Sequence, residues 1–153
     1  MDIETTQKTN YQGKWFLVYL ILIFGFVGIA DAGFLTYKYY SGGTTVCPLT
    51  GGCDIVLGSD YAKILGIPVA LVGLLYYLTI FGLSIWVLKK RDGTAFAFVY
   101  WLAAVALLAS VYLLFIQFFI LEYICIYCLA SEALSAAIFV CALIFRQKLA
   151  GKI

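Results

Sequence analysis

Four apolar runs, at about 15–36, 64–88, 95–121 and 128–145, constrain this chain more than any other feature. Crossing the hydrocarbon core as a helix takes roughly 18–20 apolar residues, and each run is near or above that length. Lipid offers no water to backbone N–H and C=O groups, so a spanning run must close its own hydrogen bonds and be helical. Helices of a soluble bundle would each carry a polar stripe, yet 81–88 and 103–116 have almost none. Composition agrees: 65% of residues are hydrophobic and 12% are charged, far from the balance of a soluble domain. The expected fold is an all-α integral membrane protein, with residues 1–153 forming one four-helix membrane domain. The first run is expected to be retained as a helix. It is too long for a signal peptide and has no clear small-residue cleavage site.

Basic residues set the expected orientation. Lys8 and Lys14 precede the first run, Lys89, Lys90 and Arg91 separate the second from the third, and Arg146, Lys148 and Lys152 follow the fourth. Four crossings place all of these on one side, eight of the ten Lys and Arg. The positive-inside rule makes that side the cytoplasm, as expected of a multi-pass inner or plasma membrane protein. Residues 1–13 are polar and expected to form a mobile cytoplasmic tail. The extracytoplasmic loop, 37–63, has a turn-rich first half with two Gly-Gly pairs and Pro48. Its second half, DIVLGSDYAKILG, alternates apolar and polar residues and is expected to lie as a short helix on the outer surface. Pro68 is expected in the first turn of the second span. Residues 122–125 form a very short outer turn, so the last two spans make an antiparallel hairpin. Gly25, Gly28, Gly73 and Gly82 allow close helix approach.

Four of the five cysteines then face outward in two pairs. Cys47 and Cys53 bracket the turn-rich CPLTGGC, and Cys125 and Cys128 form CIYC at the mouth of the last span. The outer side is the oxidising one, where disulfides persist. Two dithiols on one face of a membrane can pass electrons by thiolate–disulfide exchange. Cys125 and Cys128 stand three apart at a helix start, so they share a face, and a helix N-terminus favours the thiolate. The alternative for Cys47 and Cys53 is a permanent disulfide that staples a short loop. Cys141, isolated in the lower half of the last span, reads as a small apolar residue. Zinc is the competing use of four cysteines, but C-x5-C with C-x2-C is irregular for a zinc site, and no metal is expected. The chain contains no histidine, which removes His-ligated haem and the usual hydrolase triads.

Two carboxyl groups sit inside spans, Asp31 near the outer end of the first and Glu132 one turn below Cys128. Cys125, Cys128, Glu132 and Ser135 follow helical spacing and are expected to form one polar stripe toward the bundle interior. Such a carboxyl is a functional candidate by default and could supply protons to a reduced quinone. Against this, Glu132 could simply offset a helix N-terminus, and Asp31 could pair with Lys38 or cap a kink. Tyr112, Phe115, Phe119, Tyr123 and Tyr127 cluster near the outer end of the hairpin, where they could line a flat pocket. Packing and interfacial anchoring explain any one of them as well.

GIADAGFLTYKYY, CPLTGGCDIVLGSDYAKILGIPVALVG and FILEYICIYCLASE, taken in this order, resemble the bacterial and archaeal vitamin K epoxide reductase family. The resemblance covers nearly all of the chain beyond its first dozen residues. It implies a four-helix bundle around a quinone of ubiquinone or menaquinone type near the outer surface. It also implies an active-site dithiol of Cys125 and Cys128, with Cys128 nearest the quinone, and a shuttle pair of Cys47 and Cys53. Ser59 would lie in the segment covering the pocket, where Asp31, Tyr112, Phe115, Tyr127 and Glu132 are further candidates. With the chain ending at Ile153, the redox partner is expected to be a separate, exported thioredoxin-like protein; no nucleic-acid partner is expected. The expected activity is oxidation of that partner through Cys47/Cys53 and then Cys125/Cys128, with reduction of the quinone. The alternative is a four-helix membrane adaptor whose two disulfides are structural.

Overall fold

The computed structural model describes the backbone of residues 2–42, 52–91 and 93–151, and side chains from Trp15 onward. Its elements run α1 (Asp2–Ser41), α2 (Cys53–Gly58), a 3-10 turn (Asp60–Ala62), β1 (Lys63–Ile64), β2 (Ile67–Pro68), α3 (Val69–Lys90), α4 (Gly93–Phe115), a π-helical turn (Ile116–Leu121) and α5 (Ile126–Leu149). Four stretches, Trp15–Ser41, Val69–Lys90, Gly93–Leu121 and Ile126–Leu149, are long and apolar enough to cross a membrane. The fold is the all-α four-helix membrane bundle that the apolar runs imply.

α1 packs against α3 and α5, and α4 packs against α3 and α5. Ile21, Tyr77, Ile80, Ala103, Ile138 and Ala142 are buried where the four helices meet. Small residues set the spacing, because lipid provides no hydrophobic drive for helices to associate and close packing must hold them. Gly28 shows this most sharply: a Cβ there would overlap the ring of Tyr77, so only glycine lets α1 and α3 approach this closely. Large apolar side chains such as Phe98, Trp101 and Leu108 point outward from α4, as lipid-facing residues do. At the end carrying the basic turns, the Arg91 guanidinium lies 5.0 Å from the Trp15 ring centroid. Arg146 lies 4.4 Å from that of Tyr100. These cation–π contacts anchor the helix ends beside Phe145, which meets Trp15 edge-on.

Several boundaries differ from the sequence expectation. Residues 2–13, expected as a polar tail, continue α1, since extending an existing helix adds one hydrogen bond for each residue fixed. The second span begins at Val69 rather than 64, because Lys63–Ile64 pairs antiparallel with Ile67–Pro68. The turn between them, Leu65 and Gly66, has both residues at positive φ, as a two-residue hairpin of the right twist demands. Pro68 is the residue before the helix rather than a member of its first turn. The surface helix expected after Cys53 is real but stops at Gly58. There the Ser59 hydroxyl donates to the Val56 carbonyl at 2.7 Å and the chain turns away. α5 starts at Ile126, two residues earlier than expected.

Candidate active site

Cys125 is the N-cap of α5. Its sulfur accepts the backbone N–H of Cys128 at 3.3 Å, in the manner of an oxygen cap. The Cys128 thiol donates to the same sulfur, with the two sulfurs 2.6 Å apart. Both thiols are free. The Cys128 hydrogen bond lowers the Cys125 pKa, backbone N–H groups of the first turn act in the same direction, and burial opposes them. The net direction is down, which favours a thiolate at Cys125. A modest approach of the two sulfurs, to about 2.05 Å, would close a disulfide.

Cys53 belongs to a disulfide. It is fully buried at the start of α2, in one apolar cluster with Val56 and Cys125, against which Leu121, Tyr127 and Cys128 pack. Gly52 makes this possible, since a Cβ there would press on the backbone of Ile124. The start of α2, with Cys53, therefore sits on the turn that carries Cys125. Cys47 lies outside the described residues.

Glu132 is buried one turn below Cys128, and Ser135 is buried one turn further, so α5 turns the expected polar stripe inward. Gln117, 3% exposed, reaches both parts of that stripe from the π-helical turn. Its Nε2 donates to Glu132 Oε1 at 3.0 Å, and its Oε1 accepts the backbone N–H of Cys125 at 3.3 Å. Tyr77 crosses from α3: its hydroxyl donates to the Ser131 carbonyl at 2.6 Å and lies 3.2 Å from Ser135 Oγ.

These groups border a cavity of about 330 Å³ between α1, α3, α4, α5 and the 56–68 segment. Cys128, Glu132 and Ser59 line it; Cys125 does not. Most of its wall is aliphatic, from Leu35, Val69, Val72, Leu102 and Ala106 among others. One buried oxygen on this wall, Glu132 Oε2, lacks a hydrogen-bond partner among the described residues, and the Tyr76 hydroxyl borders the same cavity. An apolar slot with a few polar groups suits a flat, largely apolar ring bearing carbonyl oxygens.

The aromatic candidates lie off this cavity. Tyr112 and Phe115 are 62% and 52% exposed and do not border the cavity. On α4 the cavity face runs through Leu102, Ala106, Ala109, Leu113 and Ile116, and the helical repeat carries Tyr112 and Phe115 off it. Phe115 stacks on Phe119 instead, with centroids 5.0 Å apart. Tyr127 packs on Phe34 at 5.4 Å and also lies outside the lining. Asp31 is half-buried on α1 and likewise does not line the cavity; its Oδ2 is buried without a partner among the described residues. Its charge still bears on Cys125, so it lies within electrostatic reach of the dithiol. Lys38 sits over the Phe34 ring, 5.7 Å from its centroid.

Residues 19–143 match the vitamin K epoxide reductase family. The chain belongs to that family. It is also 32% identical, over 118 residues, to the thiol-disulfide oxidoreductase LTO1 of Arabidopsis thaliana. That match covers 71% of this chain and 31% of the relative, so the chain spans about a third of the length of the curated relative it matches. All four paired cysteines, Glu132 and the cavity wall fall inside the family match.

Sequence reasoning missed Gln117, Tyr76, Tyr77 and Ser131 in this vitamin K epoxide reductase family site. Gln117 did leave a signal, as the only amide side chain within an otherwise apolar third span. The tyrosines left none, being two among twelve.

Proposed function

We propose that this member of the vitamin K epoxide reductase family is a membrane thiol–quinone oxidoreductase that supports disulfide formation. One observation carries the reading: the free Cys125–Cys128 pair has one sulfur packed with Cys53 and the other on the wall of an apolar cavity. Electrons from a thioredoxin-like exported partner enter at Cys47/Cys53, move to Cys125/Cys128 by exchange, and leave through Cys128. A quinone of ubiquinone or menaquinone type, held in the cavity near Tyr76 and Glu132, supplies a two-electron acceptor. Closing the Cys125–Cys128 bond releases two electrons and two thiol protons, and reduction of quinone to quinol takes up both. Cys125, buried and inclined to the thiolate, would attack the Cys128 sulfur as the electron pair of Cys128 passes to the quinone, which takes up both thiol protons and leaves as quinol. Glu132 holds a proton beside the acceptor, and Ser59 keeps the covering segment folded over the cavity.

The adaptor reading, with two structural disulfides, is less well supported because Cys125 and Cys128 are free thiols and Cys128 lines the cavity. Anaerobic mixing of the purified protein with a reduced thioredoxin-like donor and a quinone tests the choice. One quinol should form for each donor disulfide; a donor that stays reduced, with no quinol formed, supports the adaptor.

The orientation belongs to the same proposal, with termini and basic turns in the cytoplasm and both cysteine pairs outside. A cysteine placed at exposed Glu122 in the outer turn should react with impermeant thiol reagents in intact cells, and one at Lys90 only once the membrane is opened. Reaction of the Glu122 cysteine solely from the cytoplasm would reverse the topology and remove the exported partner.

A further inference from the structure

We propose that Gln117 is a positioning residue that decides which oxygen of Glu132 carries the proton held beside the cavity. The inference rests on the assignment of Glu132 as proton holder and goes beyond it by naming the group that orients the carboxyl. The amide has only one workable orientation. Cys125 N–H is a donor, so it must meet the amide oxygen, which leaves the amide NH2 facing Glu132. A flipped amide would set donor against donor at Cys125 and oxygen against oxygen at a Glu132 carboxylate.

Glu132 Oε1 therefore always faces an N–H donor and stays an acceptor, so a proton on the carboxyl sits on Oε2. That oxygen is buried, has no partner among the described residues, and belongs to a residue on the cavity wall. The same amide is fixed to the backbone of Cys125, so the carboxyl and the dithiol move as one unit. The π-helical turn is what aims Gln117 inward, since an inserted residue rotates the following side chains. The other ionisable groups around Glu132 are Asp31 from α1, Tyr76 and Tyr77 from α3, and Cys125 and Cys128 at the start of α5. None of these hydrogen bonds to Oε1 among the described residues, so Gln117 alone sets its orientation.

The test compares Gln117→Met, which keeps length and volume, with Glu132→Gln and the double variant. The readout is single-turnover quinol formation from dithiothreitol-reduced protein. Gln117→Met should slow this step roughly tenfold in the wild-type background. In the Glu132→Gln background the loss should be clearly smaller, because no proton remains to be aimed and only the bond to the Cys125 N–H is missing. Infrared difference spectra give a second readout: the carboxyl C=O band missing from Glu132→Gln should move to higher frequency in Gln117→Met, because Oε1 loses its donor. Gln117→Leu serves should the methionine variant misfold. A loss of the same size in both backgrounds, or an unmoved carboxyl band, overturns the positioning role and leaves Glu132 as proton holder. A wild-type rate in Glu132→Gln overturns the proton assignment itself and the positioning role with it.

Discussion

Cys128→Ala and Cys125→Ala should each abolish quinol formation from every thiol donor, a loss of at least roughly 10³-fold. Cys53→Ala and Cys47→Ala should abolish it with a protein donor only. The asymmetry follows from where the sulfurs lie. Cys128 is the cysteine on the cavity wall, so without it no thiol meets the acceptor. Cys125 is the sulfur 2.6 Å away that must close the disulfide, so without it the two-electron step has no second partner. Cys53 lies in the cluster beside Cys125 and outside the cavity. Its loss should cost the exchange with a large partner but spare a small dithiol that diffuses to Cys125 directly. Cys141 is buried among the core helices away from both pairs, and its alanine variant should show only a modest packing loss. Stopped-flow quinone absorbance with dithiothreitol and with a reduced thioredoxin-like protein separates the cases. Full activity of Cys53→Ala with the protein donor would remove the shuttle role, and residual turnover in Cys128→Ala would move the terminal step to another group.

How far the site was legible in the sequence depended on whether its geometry follows a simple repeat. The four spans were plain because burial in lipid demands unbroken apolar runs. The inward stripe of Cys125, Glu132 and Ser135 was plain because polar residues at helical spacing in such a run have only one low-cost direction to face. Boundaries failed where hydropathy is blind to backbone: Ile64, Leu65 and Ile67 are as apolar as the helix after them, yet Leu65 and Gly66 hold positive φ and form a hairpin. The aromatic candidates fall outside the cavity lining for a related reason. Lipid and cavity are both apolar, so nothing in the residue types of Tyr112 and Phe115 says which one they face. Gln117 escaped because a π-helical turn shifts the register of everything after it, and no repeat in the sequence announces that shift.

Glu132→Gln should slow quinone reduction by roughly 10²-fold, the contribution of a lost general acid, while exchange between the two dithiols stays intact. The substitution keeps the shape, and a glutamine oxygen can still accept the bond from Gln117 Nε2, but it removes the ionisable proton from the cavity wall. Protons have few other routes there. Ser131 and Ser135 are engaged by the Tyr77 hydroxyl, and the bordering aliphatic side chains carry no exchangeable proton, which leaves the Tyr76 hydroxyl as the competing donor. The competing account treats Glu132 as a partner for the first turns of α5 and for Gln117, important only to stability. On that account the variant melts slightly lower and turns over normally. Single-turnover quinol formation across pH in both proteins decides between them. A wild-type profile should carry a titration that the Gln variant lacks, whereas matching rates and profiles would remove Glu132 from the chemistry. Asp31, whose charge reaches the dithiol from α1, would then be the next carboxyl to substitute.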